Sequence, residues 1–104
     1  MTAQREVRVA DSFFSQLDAQ LGAERGPQGQ PSRHDFLVLD LPAVIEVFAT
    51  SFDELPCLVD DVRAARSAVG AGITVGTYAV HGLDVAGDVL LLGIDLELWP
   101  HEVE

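Results

Sequence analysis

The sequence has no lysine, a single cysteine and only six arginines in 104 residues. Nucleic-acid-binding surfaces need clustered Lys and Arg to displace counterions from phosphate, so this scarcity argues against direct nucleic-acid binding. Cys57 alone cannot form an internal disulfide, which fits a reducing compartment. No apolar segment typical of a signal peptide opens the chain, and no apolar run approaches the ~20 residues of a membrane span. We therefore expect a cytoplasmic protein that does not enter a membrane.

Acidic residues are abundant and unevenly placed. Seventeen Asp and Glu side chains give a formal net charge of -11. Residues 1–33 carry four Arg and four acids, whereas residues 34–104 carry two Arg and thirteen acids. A surface of this kind either keeps a small domain soluble or docks a basic partner protein. The hydrophobic content of 48% is enough for a core, so residues 1–104 are interpreted as one domain.

The N-terminal half reads as a strand followed by helices. Residues 6–10 alternate polar and apolar, which predicts a short strand. Asp11 is a good helix cap, and apolar residues at helical spacing predict a helix over 12–21. Ser32 and Asp35 resemble a capping box, which allows a short helix over 33–40. The apolar run 36–41 could equally be a strand.

The middle of the chain carries one clear helix and one ambiguous segment. Apolar residues at helical spacing behind Pro42 predict a helix over about 43–54, which Pro56 ends. Residues 57–69 fit either a helix or a strand with a bulge. We favour a strand over 62–69.

The C-terminal third reads as a hairpin. Residues 73–80 are rich in strand formers, and glycines within 81–87 mark a connection. Residues 88–99 form the strongest predicted strand. Its buried face is predicted to carry Leu90, Leu92, Ile94, Leu96 and Leu98.

No motif in the chain indicates a metal site or a cofactor. The histidines, His34, His81 and His101, are far apart in sequence and lack metal-type spacing. Cys57 has no basic neighbour that would activate its thiol. The glycines at 70, 72 and 76 do not have the dinucleotide-binding spacing. We therefore expect neither a metal ion nor a cofactor.

The predicted order is strand, helix, helix and a three-stranded antiparallel meander, an α+β class with one mostly antiparallel sheet. This order resembles the RelE/ParE superfamily of toxins from toxin–antitoxin pairs. The segments that resemble the family's successive elements are Val7–Leu17, Phe48–Pro56, Val62-Arg63, Gly76–Val80 and Val89–Gly93.

The resemblance implies two alternative activities. Members that cleave mRNA on the ribosome use basic residues and Tyr, and others inhibit gyrase by binding. The positions that the resemblance implies for a catalytic set are Arg63, Arg66, Tyr78, His81 and His101. Arg63 and Arg66 would face opposite ways on a regular strand, and no Arg accompanies Tyr78. So few cations would stabilise a negatively charged phosphorane-like centre poorly.

We therefore expect a toxin that acts by protein binding rather than by RNA cleavage, with enzymatic activity the less favoured option. Its partner would be a cognate antitoxin or another basic protein. The residues expected to meet it are Asp95, Glu97 and Trp99. The alternative is a non-catalytic acidic module, or an antitoxin-like one, that binds a basic partner. The sequence also allows a homodimer.

Overall fold

A computed structural model describes residues 4–24, 26 and 31–97 of the chain. The predicted roles of Leu98, Trp99 and His101 therefore lie outside the described residues. The elements in chain order are β1 (Val7–Val9), α1 (Asp11–Gln20), α2 (Arg33–Leu39), α3 (Leu41–Ser51), a 3₁₀ turn (Phe52–Glu54), β2 (Ala65–Ala71), β3 (Thr77–Val85) and β4 (Asp88–Glu97).

The strands form one mixed sheet in the order β1-β4-β3-β2. β1 runs parallel to β4, while β2, β3 and β4 form an antiparallel meander. This arrangement confirms the predicted α+β class, with an opening strand, a helical region and a closing meander. The helical region holds three helices rather than two, because residues 33–39 fold as a helix and not as a strand.

Local capping explains where the helices begin. Ser32 accepts a hydrogen bond from the Asp35 N–H at 3.1 Å, and the Ser32 N–H donates to the Asp35 carboxylate at 2.9 Å. This is the predicted capping box at the start of α2. The predicted cap Asp11 is instead the first helical residue of α1, behind Ala10. There its negative charge still faces the positive end of the helix dipole.

The helices bury one stripe each against a single face of the sheet. Phe13 and Leu17 of α1, Phe36 of α2 and Phe48 of α3 are fully buried. The sheet contributes the other half of the core through Ala68, Val80, Val89, Leu91 and Ile94.

Two predicted strands in the meander are shifted. The strand favoured over 62–69 begins only at Ala65, because turns occupy residues 59–64 and Asp61 has a φ of 68°. The strand predicted over 73–80 begins only at Thr77 and extends to Val85. The β3–β4 connection is a two-residue turn with positive φ at Ala86 (54°) and Gly87 (93°). Such a turn matches the twist of a hairpin.

The predicted buried face of β4 is wrong in its first half. His81 pairs with Gly93 while Gly82 pairs with Leu91, so Leu92 is the extra residue of a β-bulge. A bulge changes which side chains face the core. Val89 and Leu91 are therefore buried before the bulge, and Ile94 is buried after it, whereas Leu90 and Leu92 are half-buried.

Candidate functional site on the open face of the sheet

The face of the sheet turned away from the helices carries polar side chains from β2, β3 and β4. Neighbouring strand residues point to opposite faces. Because Ala68, Val80 and Ile94 are buried under the helices, the residues beside them lie on the other side. We call this surface the open face, and it carries Ser67, Val69, Thr77, Ala79, His81, Asp95 and Glu97.

A hydrogen-bonded line of three side chains crosses the open face. Ser67 Oγ lies 3.3 Å from His81 Nδ1, and His81 Nε2 lies 3.3 Å from the Asp95 carboxylate. The three residues come from β2, β3 and β4, and the register that pairs Ser67 with His81 places them together. The pattern of a nucleophile, a base and an acid is the one that activates a serine.

The surroundings of this line favour a binding role over catalysis. Acyl transfer also requires preorganised donors aimed at the developing oxyanion. The Ser67 N–H is itself bonded to the Pro56 carbonyl, and the backbone N–H groups of a strand lie in the plane of the sheet, so they do not point at the Ser67 hydroxyl. His81 is about three-quarters covered, at 22% side-chain exposure, while Asp95 is 79% exposed. The line thus fixes the Asp95 carboxylate at the surface.

Acidic side chains collect at the β4 end of this face. Asp95 is opposite Ala79 and Glu97 is opposite Thr77, and both acids are exposed. The Thr77 hydroxyl donates to the Glu97 carboxylate at 3.3 Å. Two carboxylates on the same face of one strand, each held by a neighbour on β3, present fixed negative charge to solvent.

Two arginines of the N-terminal part of the chain are paired with other acids. Arg8 pairs with Asp88 at 2.5 Å, and Arg33 pairs with Asp18 at 2.7 Å. The hydrogen bond and the charge of Asp88 raise the pKa of Arg8. These two arginines are bound to other acids, so they do not neutralise the negative charge of Asp95 and Glu97 on the open face.

Arg5 joins three parts of the fold. Its guanidinium lies 4.7 Å above the Phe52 ring, and it bonds to Asp53 at 3.2 Å. It also bonds to the Gly87 carbonyl at 3.2 Å and to Asp84 at 3.3 Å. A cavity of about 310 Å³ lies beside it, against residues 49–54. Because Arg5 is already paired, that cavity offers no free cation to an anionic ligand.

The positions implied for a catalytic set do not meet in the structure. Arg66 packs over Phe52 at 5.6 Å and donates to the backbone carbonyls of residues 53, 55 and 63. Tyr78 lies on the helix side of the sheet, against the core. His81 lies on the opposite, open face, and Arg63 is exposed in the turn before β2. His101 is outside the described residues, so a catalytic role for this set stays a prediction.

The expected partner-binding residues divide in a similar way. Asp95 and Glu97 lie together on the open face, as their alternation along one strand requires. Trp99 lies outside the described residues.

A buried carboxylate that sequence reasoning missed holds the β2–β3 connection. Asp40 is 4% exposed, between α2 and α3. It accepts hydrogen bonds from the Ile73 N–H (2.5 Å), the Thr74 N–H (2.8 Å) and the Thr74 hydroxyl (2.5 Å). These bonds offset the cost of burying the charge, and they explain why β3 starts after residue 76.

A second missed feature is the protection of β4 beyond the end of β1. Side chains one helical turn apart on α1 bond to alternate backbone groups of β4. Ser12 donates to the Leu92 carbonyl at 2.6 Å, and Gln16 accepts from the Ile94 N–H at 2.9 Å. Gln20 donates to the Ile94 carbonyl at 2.7 Å and accepts from the Leu96 N–H at 2.6 Å. The helix therefore satisfies an edge that would otherwise be open.

The described part of the chain holds neither a metal-binding cluster nor a helix that could span a membrane. Among its His, Cys, Asp and Glu residues, no group of three lies close enough together to hold a metal ion. Its helices are all too short or too polar to cross a membrane. No protein-family model, curated protein or solved structure gives a significant match to the chain.

Proposed function

We propose that this chain is a protein-binding domain that docks a basic partner on the acidic end of its open face. The observation that carries the proposal is the pair Asp95 and Glu97, exposed side by side on β4 with no arginine bonded to either carboxylate in the described residues. Fixed surface charge of one sign steers an oppositely charged partner and selects it.

The biological role proposed for this binding is that of a toxin in a toxin–antitoxin-like pair, acting without RNA cleavage. The RelE/ParE resemblance supplies the role. The engagement of Arg66 by backbone carbonyls and the separation of Tyr78 from His81 favour binding over phosphate chemistry. The alternative, a non-catalytic acidic or antitoxin-like module, uses the same surface and differs in its effect on growth.

Binding is tested with a probe of defined chemistry, a 12-residue peptide of alternating Arg and Ala, followed by fluorescence anisotropy. The double variant D95N/E97Q keeps side-chain shape and removes two charges. The control E46Q/E54Q removes two charges from exposed positions on and after α3. Because each surface ion pair contributes about 0.2–1 kcal/mol, D95N/E97Q should weaken binding roughly twofold to thirtyfold. An equal loss in both variants would refute the assignment to the open face.

The toxin role is tested by inducing the gene alone in a bacterial host. Growth arrest that D95N/E97Q relieves and E46Q/E54Q retains would support it. Unimpaired growth with intact peptide binding would refute the toxin role and favour the non-catalytic module.

A further inference from the structure

The outer edge of β2 carries unpaired backbone groups. The Ser67 N–H donates to the Pro56 carbonyl at 3.0 Å, and the Leu58 N–H donates to the Ala65 carbonyl at 2.9 Å. Odd-numbered residues of β2 therefore direct their backbone away from β3. The segment 56–58, which makes these two bonds, does not reach past Ser67. The N–H and C=O groups of Val69 and Ala71 therefore face outward with no neighbouring strand among the described residues. No hydrogen bond to them occurs in the described part of the chain.

This edge lacks the features that prevent strand pairing in natural proteins. Such edges are normally blocked by charges, prolines or covering segments. From Ser67 to Leu83 the sequence contains no Asp, Glu, Lys, Arg or Pro. Val69 and Ile73 are each 71% exposed. On β4, three side chains of α1 bond to the backbone groups that β1 leaves free. The edge of β2 after Ser67 has no such cover in the described part of the chain.

We propose that β2 pairs with β2 of a second copy of this chain, antiparallel and centred on Gly70. In this register Val69 of one copy is opposite Ala71 of the other. Each of the two equivalent pairs exchanges two N–H···O=C bonds, which gives four bonds across the interface. The surface is the same on both copies, as a two-fold symmetric dimer requires. Because the segment 56–58 already covers the edge from Ala65 to Ser67, a second β2 can pair only with the residues after Ser67. This limit fixes the register of the two strands.

Glycine at the centre suits this geometry. Gly70 of each copy would sit at the symmetry axis, where opposed residues approach most closely. The Tyr78 hydroxyl already lies 2.8 Å from where a Gly70 Cβ would be. A side chain at position 70 would therefore have to displace that ring.

The lack of charged residues on this edge favours a second copy of the chain over a basic strand as the occupant. An uncharged edge offers a basic peptide no ion pair, so such a peptide gains more at Asp95 and Glu97. Two copies with net charge -11 repel each other over most of their surface, and an uncharged stretch reduces that repulsion at contact. Self-association should therefore strengthen as salt screens the residual repulsion, by roughly tenfold or more between about 20 and 300 mM NaCl. Rising salt should instead weaken the binding of a basic partner, because it screens the attraction between opposite charges.

The test is sedimentation velocity of the full chain at increasing concentration and salt. Val69→Lys places two like charges across the interface and should abolish the dimer. Val38→Lys makes the same change at an exposed position of α2, where Val38 is 54% exposed, and should leave the dimer intact. Hydrogen exchange adds a local measure, because the Val69 and Ala71 amides should become protected only as concentration rises.

Three results would overturn the proposal. The first is a chain that stays monomeric at every salt concentration. If the Val69 and Ala71 amides of that monomer become protected when the Arg-Ala peptide is added, the edge belongs to a partner's strand. The second is a dimer that tolerates Val69→Lys, which would lie on another surface. The third is a dimer that salt weakens. None of these results depends on whether the open face binds a basic partner.

Discussion

Removal of the Asp40 carboxylate should be the most destabilising single polar change in the helical half. Asp40→Ala deletes three hydrogen bonds, two from Thr74 and one from Ile73. Hydrogen bonds to charged groups contribute about 1.5–3 kcal/mol each, and the half-exposed loop lets water satisfy some of the released donors. We therefore expect a loss of about 4 kcal/mol, a large part of the roughly 5–15 kcal/mol of a typical native domain.

A graded series separates the hydrogen bonds from other effects of mutation. Thr74→Val removes one of the three bonds and should cost about 1 kcal/mol. Asp40→Asn keeps the shape but turns an amide NH₂ toward backbone donors, and should cost about 2 kcal/mol. Asp53→Ala is the control, because its pair with Arg5 leaves the Asp53 side chain 79% exposed. Such surface pairs contribute less than about 1 kcal/mol.

Urea unfolding at constant pH measures the series, and an unchanged m-value shows that the unfolded state is unaffected. With m of about 1–3 kcal/mol/M, the midpoint for Asp40→Ala should fall by roughly 1–4 M. Amide exchange at residues 73 and 74 should accelerate in parallel. A loss below about 1 kcal/mol, or amides at 73 and 74 that stay protected, would refute the role of Asp40 in holding this loop.

Two further changes test the packing and the hairpin. Gly82→Ala places a Cβ 2.6 Å from the fully buried Phe48 ring, so overpacking should cost about 1–3 kcal/mol in thermal or urea unfolding. Gly22→Ala meets no atom closer than 3.5 Å and should cost less than about 0.5 kcal/mol; equal losses would contradict the packing argument. At Asp84, the hydrogen bond donated by the Gly87 N–H holds the pKa below its usual 3.8. A lowered pKa stabilises the fold above pH 3.8 and the effect is lost as pH falls through the native pKa, so Asp84→Asn should be less stable than wild type at pH 7 and converge with it once the pH lies below the native pKa. A difference that persists at low pH would show that charge is not its cause.

Local chemistry made much of the fold predictable. The Ser32–Asp35 capping box, the position of Pro42 in the first turn of α3 and the β-formers of the meander each act within a few residues. Periodicity likewise identified Phe13 and Leu17 as buried. These signals need no knowledge of the rest of the chain.

Features that depend on distant parts of the chain were not predictable in this way. The bulge at Leu92 changes which residues of β4 face the core, and periodicity alone assumes a regular strand. Asp40 meets Ile73 across 33 residues, where the predicted strand should begin, and β3 starts only at Thr77. An acid between two helices carries no signal for such a role.

The candidate site was predictable only in part. Alternation along one strand placed Asp95 and Glu97 on the same face. Ser67 joined the site because the β2–β3 register sets it opposite His81, and the register depends on where turns end. The side of the sheet occupied by Tyr78 depends on the same register.

The most direct test of basic-partner docking is an amide NMR titration of the chain with the alternating Arg-Ala peptide at low salt. We expect chemical-shift changes concentrated on the acidic end of the open face, at Thr77, Ala79, Asp95 and Glu97, and we expect them to shrink as salt rises. Changes spread equally over the exposed acids of the helices, or absent from residues 95 and 97, would contradict it.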